Sequence, residues 1–291
     1  MESIKVPSFW ERKSTKEIIT KIILYIIILA GAFIFMIPFF WMLSTALKGQ
    51  EEAFQIPPQW IPNPVHWENF SIGWNTLPFW LYLKNTVIII ALSLVGQLLS
   101  ASLVAFGFSR LQFTGRDILF FIMLSTMMIP PQALIVPQYV LFNKINWVGT
   151  FNPIVIPGYF AGGASMVFLL RQSMSQIPKE LDESAFVDGA SHFQIWWNIV
   201  LPLVRAPLAT VSTFLFVGLW NNLLGPLMYL QSVGLYTLPV YTSTLYNINQ
   251  TVQPWPTIMA AAVLTTVPLI IVFFFAQRYI LEGVVVTGMK G

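Results

Sequence analysis

The residues with the most definite spacing lie in a polar stretch, Ile177 to Pro202, between two strongly hydrophobic blocks. Pro178 suits the first turn of a helix, and Glu180, Asp182 and Glu183 place negative charge at the positive end of its dipole. Carboxylates on a short helix can pair with basic groups of another protein. The stretch is therefore predicted to be a docking element.

Two short helices joined by a sharp bend are expected in this stretch. The first can run only to about Val187, because Asp188-Gly189 is a turn dipeptide and Gly commonly ends helices in a left-handed conformation. Ser191 and Gln194 have the spacing of a capping box, which begins a second helix. That helix returns to apolar sequence through Trp196, Trp197, Ile199 and Leu201.

Residues able to carry enzyme chemistry are scarce. The chain has two histidines, His66 and His192, in unrelated loops, and no cysteine. It therefore offers no thiolate nucleophile, disulfide or Cys-based metal site, and no cofactor or metal is expected. It has no paired carboxylates within an apolar segment and no G-x-x-x-x-G-K-[ST] loop to hold ATP. An enzyme is not expected.

The elements that position the polar stretch are membrane helices. Of 291 residues, 56% are hydrophobic and only 9% are charged, with a mean hydropathy of +0.70. With ~20 apolar residues per span, the sequence predicts an all-α polytopic membrane protein with six transmembrane helices. The candidate segments are Ile22–Leu47, Thr86–Phe108, Ile118–Val140, Pro153–Leu170, Leu208–Leu230 and Trp255–Phe275. A kink or break is expected at Pro130-Pro131.

The placement of Lys and Arg indicates the orientation. If the N-terminus is inside, twelve basic residues lie inside and three, Lys48, Lys84 and Lys144, lie outside. This bias predicts that both termini and the polar stretch are cytoplasmic. The basic pI then reflects membrane topology, and nucleic-acid binding is not expected.

The predicted organisation has five parts. They are a cytoplasmic tail (1–21), a first transmembrane helix (22–47), an external Pro/Trp-rich segment (48–84), a five-helix core (85–278) that includes loop 177–202, and a cytoplasmic tail (279–291). The first apolar run is too long for a signal peptide and is read as a retained helix. The first tail is a topology anchor or an interfacial helix. The external tryptophans form an interfacial belt, or else contact a partner or sugar.

The polar stretch resembles the EAA loop of the membrane subunits of bacterial ABC importers. The pattern reads Glu183-Ser184-Ala185, then Gly189, then Ile199-Val200-Leu201-Pro202, with Ser184 replacing the usual first Ala. The resemblance implies that the two short helices sit in a groove on a separate cytoplasmic ATPase and couple ATP hydrolysis to the membrane helices. The implied coupling residues are Leu181, Glu183, Ala185, Phe186, Val187 and Gly189.

The likeness extends over most of residues 30–291. The segment from Asn85 to Asp117 resembles the second span and basic turn of sugar-importer permeases of the maltose-permease type, usually N-S and then A-Y-x-x-A-R-x-x-F-x-G. MMIPPQALIVPQY from Met127 and the C-terminal FFFAQRYILEGVVVTGMKG also match that branch. The tail from Gly283 resembles the family tail that reaches toward the ATPase dimer, a weaker docking element.

The resemblance implies a type I ABC importer permease fold and a carbohydrate solute in a bacterial cell membrane. The implied partners are a second permease subunit, an ATPase dimer and an external solute-binding protein. Gln97, Asn221 and Asn222 are candidates for the solute pathway or for interhelical hydrogen bonding. The alternatives are import of another polar solute such as a glycerol phosphoester, an ATPase-independent facilitator, and a membrane enzyme. Small residues four apart, such as Gly96 with Ser100 and Gly158 with Gly162, are expected to pack this chain's own helices rather than to contact a second subunit.

Overall fold

A computed structural model describes residues 13–248 and 254–288. Within these ranges all regular structure is helical, which confirms the all-α prediction. The α-helices are α1 Lys13–Ala46, α2 Glu68–Thr76, α3 Phe79–Arg110, α4 Arg116–Ser125, α5 Ile135–Lys144, α6 Asn152–Val155, α7 Ala164–Met174, α8 Glu180–Val187, α9 His192–Ile195, α10 Leu201–Leu203, α11 Arg205–Trp220, α12 Leu224–Tyr229, α13 Leu238–Ile248 and α14 Trp255–Gly288. Residues 1–12 and 289–291 of the two predicted tails lie outside the described residues.

Four helical stretches are long and apolar enough to cross a membrane. They are Glu17–Ala46, Phe79–Arg110, Asn152–Met174 and Trp255–Phe275. Two further stretches are bent pairs, Arg116–Met128 with Pro131–Lys144 at 90° and His192–Leu203 with Arg205–Trp220 at 80°. The described chain therefore has four candidate spans, or up to six if each bent pair is one span.

The predicted break at Pro130-Pro131 is confirmed. Pro130 has an extended backbone, with φ −63° and ψ 128°, and a 3-10 turn follows over Pro131–Leu134. Proline removes a backbone donor and its ring clashes with the preceding turn, so two in succession end a helix. The third apolar segment is consequently divided at this point.

The candidate span Leu208–Leu230 is not a single helix. α11 ends at Trp220 and α12 begins at Leu224. Asn221 Nδ2 donates to the Val217 carbonyl at 2.9 Å, and Asn222 Oδ1 accepts from the Gly225 amide at 3.1 Å. Such local bonds compete with the helical pattern. The two amides, predicted to lie within a span, therefore lie at a helix break.

The described residues form two compact units. One unit covers described residues 13–73 and 254–263. In it Asn69 Nδ2 donates to the carbonyls of Ala46 and Lys48 at 3.0 and 2.9 Å, closing the end of α1. The Lys48 ammonium lies 4.2 Å from the Trp41 ring centroid. Burial lowers the pKa of Lys48, while the Glu52 carboxylate acts in the opposite direction.

The other unit covers described residues 74–248 and 264–288 and contains the polar loop. α3, α7 and α11 form its core together with that loop. The buried members are Ala101, Ala105, Phe106, Val167, Leu170, Met174, Ala185, Ile195, Trp196, Val200, Val204 and Val211. Between membrane helices, such contacts stabilise the fold mainly by close van der Waals packing, because lipid is as apolar as the side chains. The polar loop is thus packed onto the helices that precede it.

Small residues allow α3 to approach the segment before α7 closely. A Cβ built on Gly96 would lie 1.9 Å from the Tyr159 ring, and one on Gly158 would lie 2.3 Å from Gln97 Cδ. Gly162 approaches the Gln97 carbonyl and Ala101 in the same way. The expectation that these small residues pack the chain's own helices is confirmed.

Candidate functional site

The predicted bend in the polar loop is present. α8 ends at Val187, and Gly189 has φ +82°, in the left-handed region that favours glycine. The Gly189 amide donates to the Phe186 carbonyl at 3.0 Å, and the Ala190 amide donates to the Ala185 carbonyl at 2.9 Å. This pair of bonds is a Schellman motif, which satisfies the last carbonyls of a helix. The turn direction is therefore fixed by the backbone of one glycine.

The predicted capping box at the second helix is also present. The Gln194 amide donates to Ser191 Oγ at 3.4 Å, and the Ser191 amide donates to Gln194 Oε1 at 2.7 Å. α9 continues into a π-helical turn over Trp196–Val200 and then α10. The two helices around Gly189 therefore have locally determined ends.

We predict that Ser191→Ala loosens the start of α9. Loss of an N-cap costs about 1 kcal/mol, so amide exchange in residues 192–196 should accelerate about fivefold. Ser191→Asp is the matched control, because Asp is an equally good N-cap and should retain protection. Hydrogen exchange with mass spectrometry on the purified chain measures both variants. Equal exchange in Ser191→Ala and the unmodified chain would contradict a capping role.

α8 has an inner and an outer face. Asp182 and Ala185, three residues apart, are each 8% exposed and point into the chain's own core. Glu183, Phe186 and Val187 have the i, i+3 and i+4 spacing of one helix face and are all exposed, Val187 at 88%. The outer face thus combines one carboxylate with two apolar side chains.

The six predicted coupling residues therefore do not form one surface. Glu183, Phe186 and Val187 share the outer face, and Gly189 forms the turn beside it. Ala185 instead belongs to the inner face, where its small side chain lets α8 lie close to the core.

Leu181 lies in a different place, on an open, mainly apolar groove of about 550 Å³. The groove is lined mainly by α7, the residues before α8, α10 and α11; Pro178, Val204, Pro207 and Phe214 are among its lining residues. The structure therefore does not bring Leu181 together with the outer-face residues Phe186 and Val187.

The aromatic residues of the loop continue the exposed surface. The Phe186 and His192 rings meet edge to face at 4.9 Å across the turn. Phe193 and Trp197 are 61% and 51% exposed, whereas Trp196 is buried. The sequence interpretation considered His192 only as a possible catalytic residue and did not assign Phe193 or His192 to a docking surface. Their position directly after the capping box, in a cytoplasmically predicted loop, is the signal that could have identified them.

On the inner side, α8 is joined to α3 by an ion pair. Arg110 Nε lies 3.2 Å from Asp182 Oδ2, and the two side chains are 4% and 12% exposed. Arg110 is in the last turn of α3 and Asp182 is in the first turn of α8, so each charge complements its helix dipole. The sequence interpretation used Arg110 for topology and Asp182 for helix initiation, and missed their pairing.

A second arginine holds neighbouring helices. The Arg171 guanidinium, on α7, lies 4.1 Å from the Phe120 ring centroid on α4. Its Nε donates to the Phe108 carbonyl at 3.3 Å, near the end of α3. Arginines thus fix the same end of α3 to both α4 and α8.

The three pathway candidates occupy different environments. Gln97 is 7% exposed and packs against Gly158. Asn221 is exposed and lines an open pocket of about 240 Å³, while Asn222 caps the start of α12. Other residues lining that pocket are Trp220, Leu223, Leu238, Pro239, Thr242 and Thr265. Among the three, only Asn221 lines that pocket.

Comparison with known proteins gives a consistent result. Residues 97–285 match the family described as binding-protein-dependent transport system inner membrane component. The chain is 35% identical over 216 residues to the arabinooligosaccharides transport system permease protein AraQ of Halalkalibacterium halodurans, covering 73% of this chain and 75% of AraQ. It is 30% identical to the trehalose/maltose transport system permease protein MalG of Thermococcus litoralis, over 95% of this chain and 99% of MalG.

A solved structure has the same fold. It is a chain of a bacterial ABC transporter involved in the import of the acidic polysaccharide alginate, with a TM-score of 0.77 and 22% identity. The match covers 94% of this chain and 99% of that chain. The family match covers most of this chain, including α8, Gly189 and the capping box. The chain therefore belongs to the family of inner-membrane permease components of binding-protein-dependent transport systems.

Proposed function

We propose that this chain is one of two permease subunits of an ATP-driven importer for a sugar or oligosaccharide delivered by an external solute-binding protein. Family membership supports the importer class, and relatives named for arabinooligosaccharides and for trehalose and maltose support a carbohydrate. In this proposal each bent helix pair is one span, which gives six spans and a type I importer fold.

The membrane orientation follows from charge. In chain order, Arg110, Arg116, Arg171 and Lys179 fall in segments expected on the same membrane side as α8, whereas Lys48 and Lys144 fall in segments expected on the other side. The positive-inside rule puts the side that carries α8 in the cytoplasm, with both termini. Loop 177–202 then faces the compartment that supplies ATP.

The observation that carries the coupling mechanism is the outer face of α8. Glu183, Phe186 and Val187 project from a helix whose inner face is packed into the chain's own core. Exposed apolar side chains beside a charge are typical of a protein interaction site. Here they receive a separate ATPase subunit, with Glu183 pairing with a basic residue and Phe186 and Val187 filling a groove.

This placement gives the partner and this chain different roles. ATP hydrolysis is carried out by the partner, and closure of an ATPase dimer moves α8 together with the core that it contacts. Gly189 holds α8 at the angle that docking requires.

At the pocket between α11 and α13, the Asn221 amide and the Trp220 ring contact a hydroxyl-rich solute.

Co-purification of the full complex tests the docking surface. Glu183→Ala and Val187→Asp should each reduce the retained ATPase subunit about tenfold, as loss of ~1.4 kcal/mol implies, while the second permease subunit stays bound. Glu51→Ala removes an exposed carboxylate on the proposed external side and should retain the ATPase. Undiminished ATPase retention in both loop variants would overturn the coupling mechanism.

Uptake into proteoliposomes tests the solute class. The complex, supplied with ATP and its binding protein, should accumulate a labelled oligosaccharide, and unlabelled oligosaccharide should compete. If only a glycerol phosphoester is taken up and the oligosaccharide is not, the transported solute is the phosphoester. Accumulation without any ATPase subunit would instead identify a facilitator.

A further inference from the structure

α3 is held by buried polar contacts at both ends. It runs without interruption from Phe79 to Arg110 and includes one of the candidate spans. Asn85 and Arg110 are separated by about 38 Å along the helix axis, at 1.5 Å per residue. A continuous helix of this length moves as one element, because its backbone hydrogen bonds resist local extension.

The first contact is the Arg110–Asp182 ion pair described above. Asp182 is on the inner face of α8, whereas Glu183 and Val187 are on the exposed face proposed to bind the ATPase. Burial removes the pair from competing water, so each charge depends on the other for compensation. Displacement of α8 therefore pulls or pushes directly on the end of α3.

The second contact is at the opposite end. Asn85 Nδ2 donates to the carbonyls of Gly234 and Tyr236 at 2.9 and 3.0 Å. The Leu238 amide donates to Thr86 Oγ1 at 2.9 Å, at the start of α13. Asn85 and Thr86 are both buried. The loop before α13 is therefore held by the first turns of α3.

We propose that α3 transmits the displacement of α8 to the external loop 230–237, with Arg110, Asp182 and Asn85 as positioning residues. The proposal rests on the proposed function, since an ATPase bound to α8 supplies the displacement. It goes further by assigning Asp182 to transmission and Glu183, its neighbour, to docking. The two adjacent carboxylates thus have different roles because one lies on the buried face of the helix and the other on an exposed face.

A labelling assay measures this transmission without knowledge of the solute. The chain has no cysteine, so Val233→Cys places a single thiol in this subunit on the external loop, where Val233 is 56% exposed. The probes are ATP and a thiol-reactive maleimide dye, applied to the full complex in nanodiscs. ATP should change the labelling rate about tenfold, within the usual range of coupling between sites.

In this background, Asp182→Asn and Asn85→Ala should each abolish the ATP-dependent change while the ATPase subunits stay bound. Asp182→Glu should restore part of it, because a carboxylate is again available to Arg110. Glu180→Gln is the matched control: it removes an exposed charge from the same turn of α8 and should leave the ATP response intact.

The outcomes separate this proposal from the docking surface. An unchanged ATP response in both Asp182→Asn and Asn85→Ala would overturn transmission through α3. Loss of the ATPase from the Asp182→Asn complex would also overturn it, because the carboxylate would then belong to docking. If the docking proposal is wrong, the result is different: the Glu183→Ala and Val187→Asp complexes retain the ATPase subunit.

Discussion

Gly189→Val is expected to uncouple transport from ATP hydrolysis and to reduce ATPase binding about tenfold or more. Gly189 has φ +82°, and no heavy atom lies within 4 Å of a Cβ built on it. The penalty is therefore in the backbone, about 1–2 kcal/mol for an L-residue in the left-handed region, and larger for a β-branched one. Relief of this strain breaks the Schellman bonds and rotates α8 away from α9.

Gly189→Asn is the matched control for this substitution. Asn adds a larger side chain than Ala but tolerates the left-handed conformation, because its amide bonds locally to the backbone. We expect Asn to retain most of the ATPase binding, Ala to be intermediate, and Val to retain least. Co-purification and ATP-driven uptake measure the series. An order that follows side-chain volume would contradict the backbone explanation.

The loop shows what a sequence can predict. The end of α8 at Val187, the left-handed Gly189 and the Ser191–Gln194 capping box all depend on residues at most five positions apart. Local backbone conformation and local hydrogen bonds determine such features. The sequence therefore predicted them to within about a residue, although nothing in it revealed which face of α8 would be covered.

Contacts between distant segments were not predictable in the same way. Arg110 and Asp182 are 72 positions apart, and each already had a sufficient local explanation. Their pairing follows from the packing of α3 against α7 and the loop, which spacing alone does not specify. The inward position of Ala185 has the same origin, since an alanine in a short helix suits either face.

The break at Asn221 has a different cause. Spans are predicted from the mean hydropathy of a window of about 19 residues. Two amides within an apolar run lower that mean too little to exclude a span. The side chains of Asn221 and Asn222 then ended one helix and capped the next. Hydropathy thus predicted that the segment is apolar but not that it is a single helix.

Gly96→Ala is expected to destabilise the chain by about 1–3 kcal/mol, as overpacking of a tight contact does. The added Cβ would lie 1.9 Å from the Tyr159 ring. The ring can move only by giving up the bond from Tyr159 Oη to the Leu92 carbonyl, at 3.0 Å. Thermal unfolding of the purified complex in detergent should show a lower Tm, together with reduced uptake.

Gly107→Ala, on the same helix, separates this contact from helix propensity. Nothing lies within 4 Å of a Cβ at Gly107, and Ala is favoured over Gly in a helix by roughly 0.5–1 kcal/mol. The control should therefore be neutral or stabilising. Adding Tyr159→Ala to Gly96→Ala should produce less than the sum of the two single losses, because the clash disappears with the ring. Strict additivity would mean that α3 and the segment before α7 are not in contact at Gly96.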